Sequence, residues 1–131
     1  MSEKRDKMRE AIKAADDIRR RIVLVPEWGD MEVEVRGLST FQRADLYEKS
    51  KQGEDSVDSR VFYPTVVIAS AHVPETGEAL FDPEDIDWLN SKSASATGVI
   101  GTVALELSGL SKGEVDKIKK GFDAIQKKDS T

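Results

Sequence analysis

The segment from Gly77 to Gly113, GEALFDPEDIDWLNSKSASATGVIGTVALELSGLSKG, is the most apolar long stretch of the chain and is punctuated at both ends. Asp82 reads as an N-cap, Pro83 as the first helical residue and Asp85 as the acid three positions on, which predicts a short helix to about Asn90. Ser91 or Ser93 then caps a longer helix, and Gly109 ends it. Within it Ala96, Val99, Ile100, Val103, Leu107 and Leu110 recur at helical spacing and define one face. Gly98 and Gly101 in the same pattern suggest a close approach by a second helix. A segment of this kind has to be core, and the rest of the chain must be arranged to cover it.

A chain of 131 residues supports one hydrophobic core and not two, so residues 1–131 are expected to form a single domain. The hydrophobic fraction of 38% and charged fraction of 34% describe a polar globular protein with enough Leu, Ile, Val and Phe to exclude wholesale disorder. A net charge of −5 gives no electrostatic footprint for a phosphate backbone, and no nucleic-acid partner is expected. The one basic run, Arg19-Arg20-Arg21, reads as cations at a helix C-terminus in preference to a phosphate site. The absence of cysteine removes disulfides, Cys-ligated zinc, iron–sulfur clusters and a thiol nucleophile, and suits a reducing cytosol. The sequence offers no apolar run long enough to span a bilayer and is charged from its third residue, so neither a membrane partner nor a signal peptide is expected.

Residues 1–20 read as a charged N-terminal helix, free to move, with a narrow stripe of Met8, Ala11, Ile12, Ala15 and Ile18. Ile22–Val25 and the strict alternation of Met31, Val33 and Val35 against Glu32, Glu34 and Arg36 predict a β-hairpin with one wet face. Its turn, Pro26-Glu27-Trp28-Gly29-Asp30, places Trp28 either folded back over the sheet or presented to a partner as an anchor. Ser39 and Gln42 form a capping box that opens a helix to about Lys49, with Phe41, Ala44 and Leu46 or Tyr47 inward. Residues 50–59 carry one apolar residue and read as a flexible loop. The apolar run from Arg60 to Val73 reads as a helix with Pro64 in its first turn, and Pro74–Gly77 as a turn. After Gly109, a capping box at Ser111–Glu114 starts a last helix with a seam of Val115, Ile118, Phe122 and Ile125, expected to pack back as an αα-hairpin. Residues 126–131 should be a frayed tail. The fold class expected is therefore α+β, mainly α: an N-terminal helix and β-hairpin followed by a bundle of four to five helices.

The pattern carries little chemistry. His72 is the only histidine, none of Ser70, Ser91, Ser93 and Ser95 sits in a nucleophile elbow, and His72 reads as a residue at a helix C-terminus. The acids Asp82, Glu84, Asp85 and Asp87 lack the alternation of a calcium loop and suit a first helical turn. No nucleotide-binding fingerprint occurs. The expectation is a non-enzyme without catalytic residues, metal or cofactor. What remains are apolar surfaces: Trp28, the N-terminal stripe and the seam of Val115, Ile118, Phe122 and Ile125, each serving either packing within the chain, self-association or capture of an amphipathic helix.

Three stretches in order, VLVPEWGDMEVEVRGLSTFQRADLY, ETGEALFDPEDIDWLNSKS and ALELSGLSKGEVDKIKKGF, resemble the tail assembly chaperones of long-tailed bacteriophages across residues 22–122. The resemblance implies a binder that keeps the long helical tape measure protein soluble and helps recruit tail tube protein around it. It further implies action in the host bacterial cytoplasm, absence from the mature virion and, in many members, a longer form made by ribosomal frameshifting. Lys127-Lys128 marks an adenine-rich stretch of the gene where such a slip could occur. Partner-binding residues are then expected to be Trp28, Val115, Ile118, Phe122 and Ile125, with homo-oligomer formation as a further interaction. The alternative is a structural or adaptor subunit of the virion, or an oligomeric interaction module with no chaperone role.

Overall fold

The alternation on either side of Trp28 does form a hairpin: β1 (Arg20–Val25) pairs antiparallel with β2 (Met31–Arg36), with Val23 opposite Val33 and Val25 opposite Met31. This is seen in a computed structural model, which describes residues 2–53, 56–110 and 113. Val23, Val25, Val33 and Val35 point into the core, while Ile22, Leu24 and Glu32 face outward. Pro26–Trp28 make a 3-10 turn, and Gly29 and Asp30 both take positive φ, +67° and +56°, to return the chain. A two-stranded hairpin is marginal by itself. Here β3 (Ala71–His72) adds a third antiparallel strand, with Ala71 opposite Val35 and His72 opposite Glu34.

That third strand is not foreseen by periodicity, and it shortens the helix expected to reach Val73. α3 (Ser59–Ser70) stops where Ala71 turns to extended backbone, because Val73 precedes Pro74 and is disfavoured in helical geometry. His72 is therefore a strand residue, its ring Nδ1 lying 2.8 Å from the Ser70 carbonyl oxygen. Gly77, at φ +74°, then turns the chain so that Ala79 pairs back with His72.

The start of α3 corrects a second expectation. Asp58 caps it by accepting from the Arg60 N–H at 3.0 Å, so Pro64 lies inside the helix and not in its first turn. Proline has no N–H to give the Arg60 carbonyl. The Asn90 side-chain amide donates to that carbonyl instead, at 3.0 Å, tying α3 to the end of α4 (Ile86–Leu89). Asn90→Ala is expected to lower stability by about 1 kcal/mol. The loss should shrink to near zero on a Pro64→Ala background, where the substituted residue supplies the missing backbone N–H. Urea titrations of the double-mutant cycle read that coupling.

α5 (Ala94–Leu107) is the core helix, capped by Ser93, whose hydroxyl accepts from the Ala96 N–H at 3.3 Å. Its buried residues are Ala96, Thr97, Ile100, Gly101, Ala104 and Leu105, with Leu110 beyond the end. The face expected to include Val99, Val103 and Leu107 is thus rotated: Val99 is exposed and the other two are half-buried. Gly101 sets the rotation, because a Cβ there would stand 3.2 Å from both Tyr63 and Val66 of α3. Gly98 meets nothing within 4 Å, so only one of the two glycines serves helix approach. Gly109, at φ +88°, closes α5 with the Leu110 N–H on the Leu105 carbonyl, which brings Leu110 back into the core.

α2 (Thr40–Ser50) starts on the expected capping box: the Gln42 N–H donates to the Ser39 hydroxyl at 3.1 Å and the Ser39 N–H to the Gln42 side chain at 3.0 Å. Its inward residues are Leu46 and Ser50, whereas Phe41 is 78% exposed and Ala44 is exposed. The box fixes the phase of the first turn, and Leu46, one turn further, is what reaches the core. Across residues 50–59 the chain is bridged, Lys51 opposite Val57 and the Asp58 N–H donating to the Ser50 carbonyl at 2.7 Å.

α1 (Glu3–Ala14) ends six residues before the expected limit, so Ala15 and Ile18 leave its stripe. Asp16 and Asp17 are poor helix formers, and the strand begins at Arg20. The arginine run accordingly does not cap a helix. Arg20 reaches Asp16 at 3.0 Å and Glu34 at 3.7 Å, and Arg21 reaches Glu106 at 3.5 Å.

Candidate functional site

Trp28 folds back as one reading of its turn expects: it is half-buried and packed against the core. The 3-10 turn and Gly29 hold it at the far end of the hairpin from Arg20. Phe81 stands beside it at 6.3 Å between ring centroids and 73° between planes, and Trp88 stands 5.7 Å beyond Phe81 at 61°. Both are edge-to-face arrangements of the sort favoured by aromatic quadrupoles. Trp88 is 45% exposed, so the three rings form a ridge that is packed at one end and open at the other.

Each ring is delivered by a different local device. β3 and the Gly77 turn return the chain so that the Leu80 N–H donates to the Ala71 carbonyl at 3.0 Å, and the next residue, Phe81, lies half-buried against the core. Asp85 then reaches back to the Asp82 N–H at 2.8 Å and stabilises the 3-10 turn Pro83–Asp85. α4 follows, burying Leu89 and leaving Trp88 outward beside Phe81.

The ridge sits in acidic surroundings. Glu27 and Asp30 flank Trp28; Asp82, Glu84 and Asp87 flank Phe81 and Trp88, and all five are exposed. No lysine or arginine occurs between Arg60 and Lys92. Apolar rings on an acidic margin fit a segment that is apolar along one line and cationic beside it, with the cations lying over ring faces or against carboxylates.

The other expected partner-binding residues, Val115, Ile118, Phe122 and Ile125, lie outside the described residues. Sequence reading missed Phe81 and Trp88 as companions of Trp28, because no shared periodicity links the three. The cation-free interval around them was the available signal. Elsewhere, Glu34 is buried on the outer side of the sheet between Arg20 and Arg36, the latter at 3.4 Å, which is an internal ion cluster. Among the described residues no group of three His, Cys, Asp or Glu side chains could hold a metal ion, and no helix is long and apolar enough to cross a membrane.

Comparison with solved structures finds the bacteriophage HK97 tail assembly chaperone similar to this chain, with a TM-score of 0.59 and 16% sequence identity. The match covers 82% of this chain and 99% of that one. The fold is that of the HK97 chaperone. No protein-family model and no curated protein matches the sequence. The resemblance carried by the hairpin, the Gly77 turn and the α5 ending thus extends from motifs to three-dimensional architecture.

Proposed function

We propose that this chain is a phage tail assembly chaperone that binds the tape measure protein, keeps it soluble and helps recruit tail tube protein during tail morphogenesis. The observation that carries the reading is the fold shared with the HK97 tail assembly chaperone over nearly the whole of that protein. The acid-flanked ridge of Trp28, Phe81 and Trp88 is the described surface best suited to an amphipathic client helix. The seam of Val115, Ile118, Phe122 and Ile125 is proposed as a second one. The protein would act by binding alone, in the host cytoplasm, and leave before the virion is complete. A frameshifted longer form arising near Lys127-Lys128 belongs to the same proposal, and the gene's nucleotide sequence there decides it.

Co-expression with the tape measure protein tests the reading. The chain should co-purify with it, and Trp28→Ala with Trp88→Ala should weaken capture by roughly thirtyfold, as loss of an aromatic hot spot worth about 2 kcal/mol does. Ile118→Asp with Phe122→Asp should abolish capture if the seam takes part, with circular dichroism separating lost binding from lost folding. A chain that captures no tape measure protein and is found in purified particles would be a structural subunit.

A further inference from the structure

The ridge of Trp28, Phe81 and Trp88 has a spacing as well as a chemistry. Its consecutive ring centroids stand 6.3 Å and 5.7 Å apart. Side chains four residues apart on an α-helix are separated by about 6 Å along its axis, a value between those two. Alternate side chains of an extended strand stand about 6.6 Å apart, beyond both. The elements that carry the rings favour a helix too: Trp28 belongs to a 3-10 turn, Phe81 to a bend and Trp88 to α4. An extended segment needs a strand edge to take up its backbone N–H and C=O groups, whereas a helix satisfies its own. Trp28 and Phe81 are half-buried against the core, which fixes their rings before anything binds and keeps the ordering cost of binding low.

The charges beside the rings select among helices. Glu27, Asp30, Asp82, Glu84 and Asp87 are exposed around the ridge, and no Lys or Arg occurs between Arg60 and Lys92. We propose that the ridge reads one pattern in its client: aliphatic side chains at positions i, i+4 and i+8 of a helix, with Lys or Arg at i+1 and i+5 on one side of that line and at i+3 and i+7 on the other. That the occupant is a client rests on the function proposed above. The aliphatic groups seat against the three rings in register, and the cations lie against the five carboxylates. Each such ion pair is exposed and weak, so selection comes from several acting together and from repulsion of an acidic helix with the same apolar line. Client helices bordered by cations are held, and those bordered by acids are passed over.

Synthetic peptides test the pattern on the purified full chain. The probe is an Ala-based peptide of about four helical turns with Leu at i, i+4 and i+8 and Lys at the four flanking positions. Its controls are the same peptide with Glu for Lys, and an isomer of equal composition whose leucines are spread around the helix. Trp28 and Trp88 are the only tryptophans, so intrinsic emission follows the ridge. The Lys peptide should shift the emission to the blue and saturate, and added salt should weaken it. The Glu peptide and the isomer should bind about tenfold more weakly or worse. Trp88→Ala should weaken the Lys peptide by about tenfold, read by calorimetry. Glu84→Lys with Asp87→Lys should invert the preference, so that the Glu peptide binds the tighter, a result that loss of folding would not produce. The proposal is overturned if the Lys and Glu peptides bind alike, if the isomer binds as well as the patterned peptide, or if either variant leaves binding and preference unchanged. An emission shift that follows the chain's own concentration with no peptide present would seat a second copy on the ridge, and equally overturns it. Capture of tape measure protein is read separately. A chain that captures it yet ignores the pattern sinks this proposal alone; one that selects the Lys peptide yet captures no tape measure protein upholds the pattern and overturns the chaperone reading.

Discussion

Phe62→Ala is expected to cost about 3–5 kcal/mol, a large part of the roughly 5–15 kcal/mol that holds a domain folded. Phe62 is completely buried. It packs edge-on to Tyr63 at 5.6 Å and at a tilt to Tyr47 of α2 at 6.3 Å, so its ring is the point at which α2 and α3 meet. Removing the ring loses its transfer free energy and leaves a cavity that the surroundings fill poorly. One wall is α3, which is held by Asn90 at one end and by β3 at the other. Urea denaturation should show a lower midpoint at unchanged slope. Phe41→Ala is the internal control: the ring is 78% exposed and the change should fall within about 0.5 kcal/mol. Equal losses at both positions would mean that α2 packs on the face the sequence suggests, and that the observed phase of this helix is wrong.

Those two phenylalanines show what kind of information the sequence holds. Local hydrogen-bond chemistry was legible: the Ser39–Gln42 box, the return of Asp85 to the Asp82 N–H and the Gly109 closure all form as residue type dictates. Alternation likewise located the hairpin and its turn. Rotation about a helix axis was not legible. α5 is apolar on most of its circumference, and the buried face is selected by where Gly101 lets Tyr63 and Val66 approach, a property of two helices together. The position of Pro64 escaped for a similar reason, since the donor that makes it tolerable is Asn90, far along the chain. β3 has two residues and shows no period at all. The ridge combines these obstacles: Trp28 could be singled out by its turn, but Phe81 and Trp88 join it only through the β3 return and α4.

Gly37→Ala should lower the melting temperature by roughly 5–15 °C, the equivalent of about 1–3 kcal/mol. Its φ is not in the left-handed region, so backbone preference alone would make alanine favourable there, by about 0.4–1 kcal/mol through the unfolded chain. Space decides otherwise. An added Cβ would lie 2.7 Å from the Leu107 carbonyl oxygen, 3.0 Å from its carbon and 3.3 Å from the Ser108 nitrogen. All three are backbone atoms at the end of α5, and no rotamer change can move them. Nor can β2 simply withdraw, because the Gly37 N–H donates to the Arg19 carbonyl at 2.9 Å and the Leu38 N–H to the Ser108 hydroxyl at 2.7 Å. That hydroxyl in turn donates to the Ala104 carbonyl at 2.6 Å, so one methyl group strains the entry to β1, the exit of β2 and the last turn of α5 together. Gly98→Ala provides the opposite sign: nothing lies within 4 Å of its Cβ, and a helix interior favours alanine over glycine by about 1 kcal/mol. Thermal melts of the two variants should therefore move apart. A Gly37→Ala melt that rises with Gly98→Ala would mean that the end of α5 does not press on β2, and that hairpin and core helix are joined elsewhere.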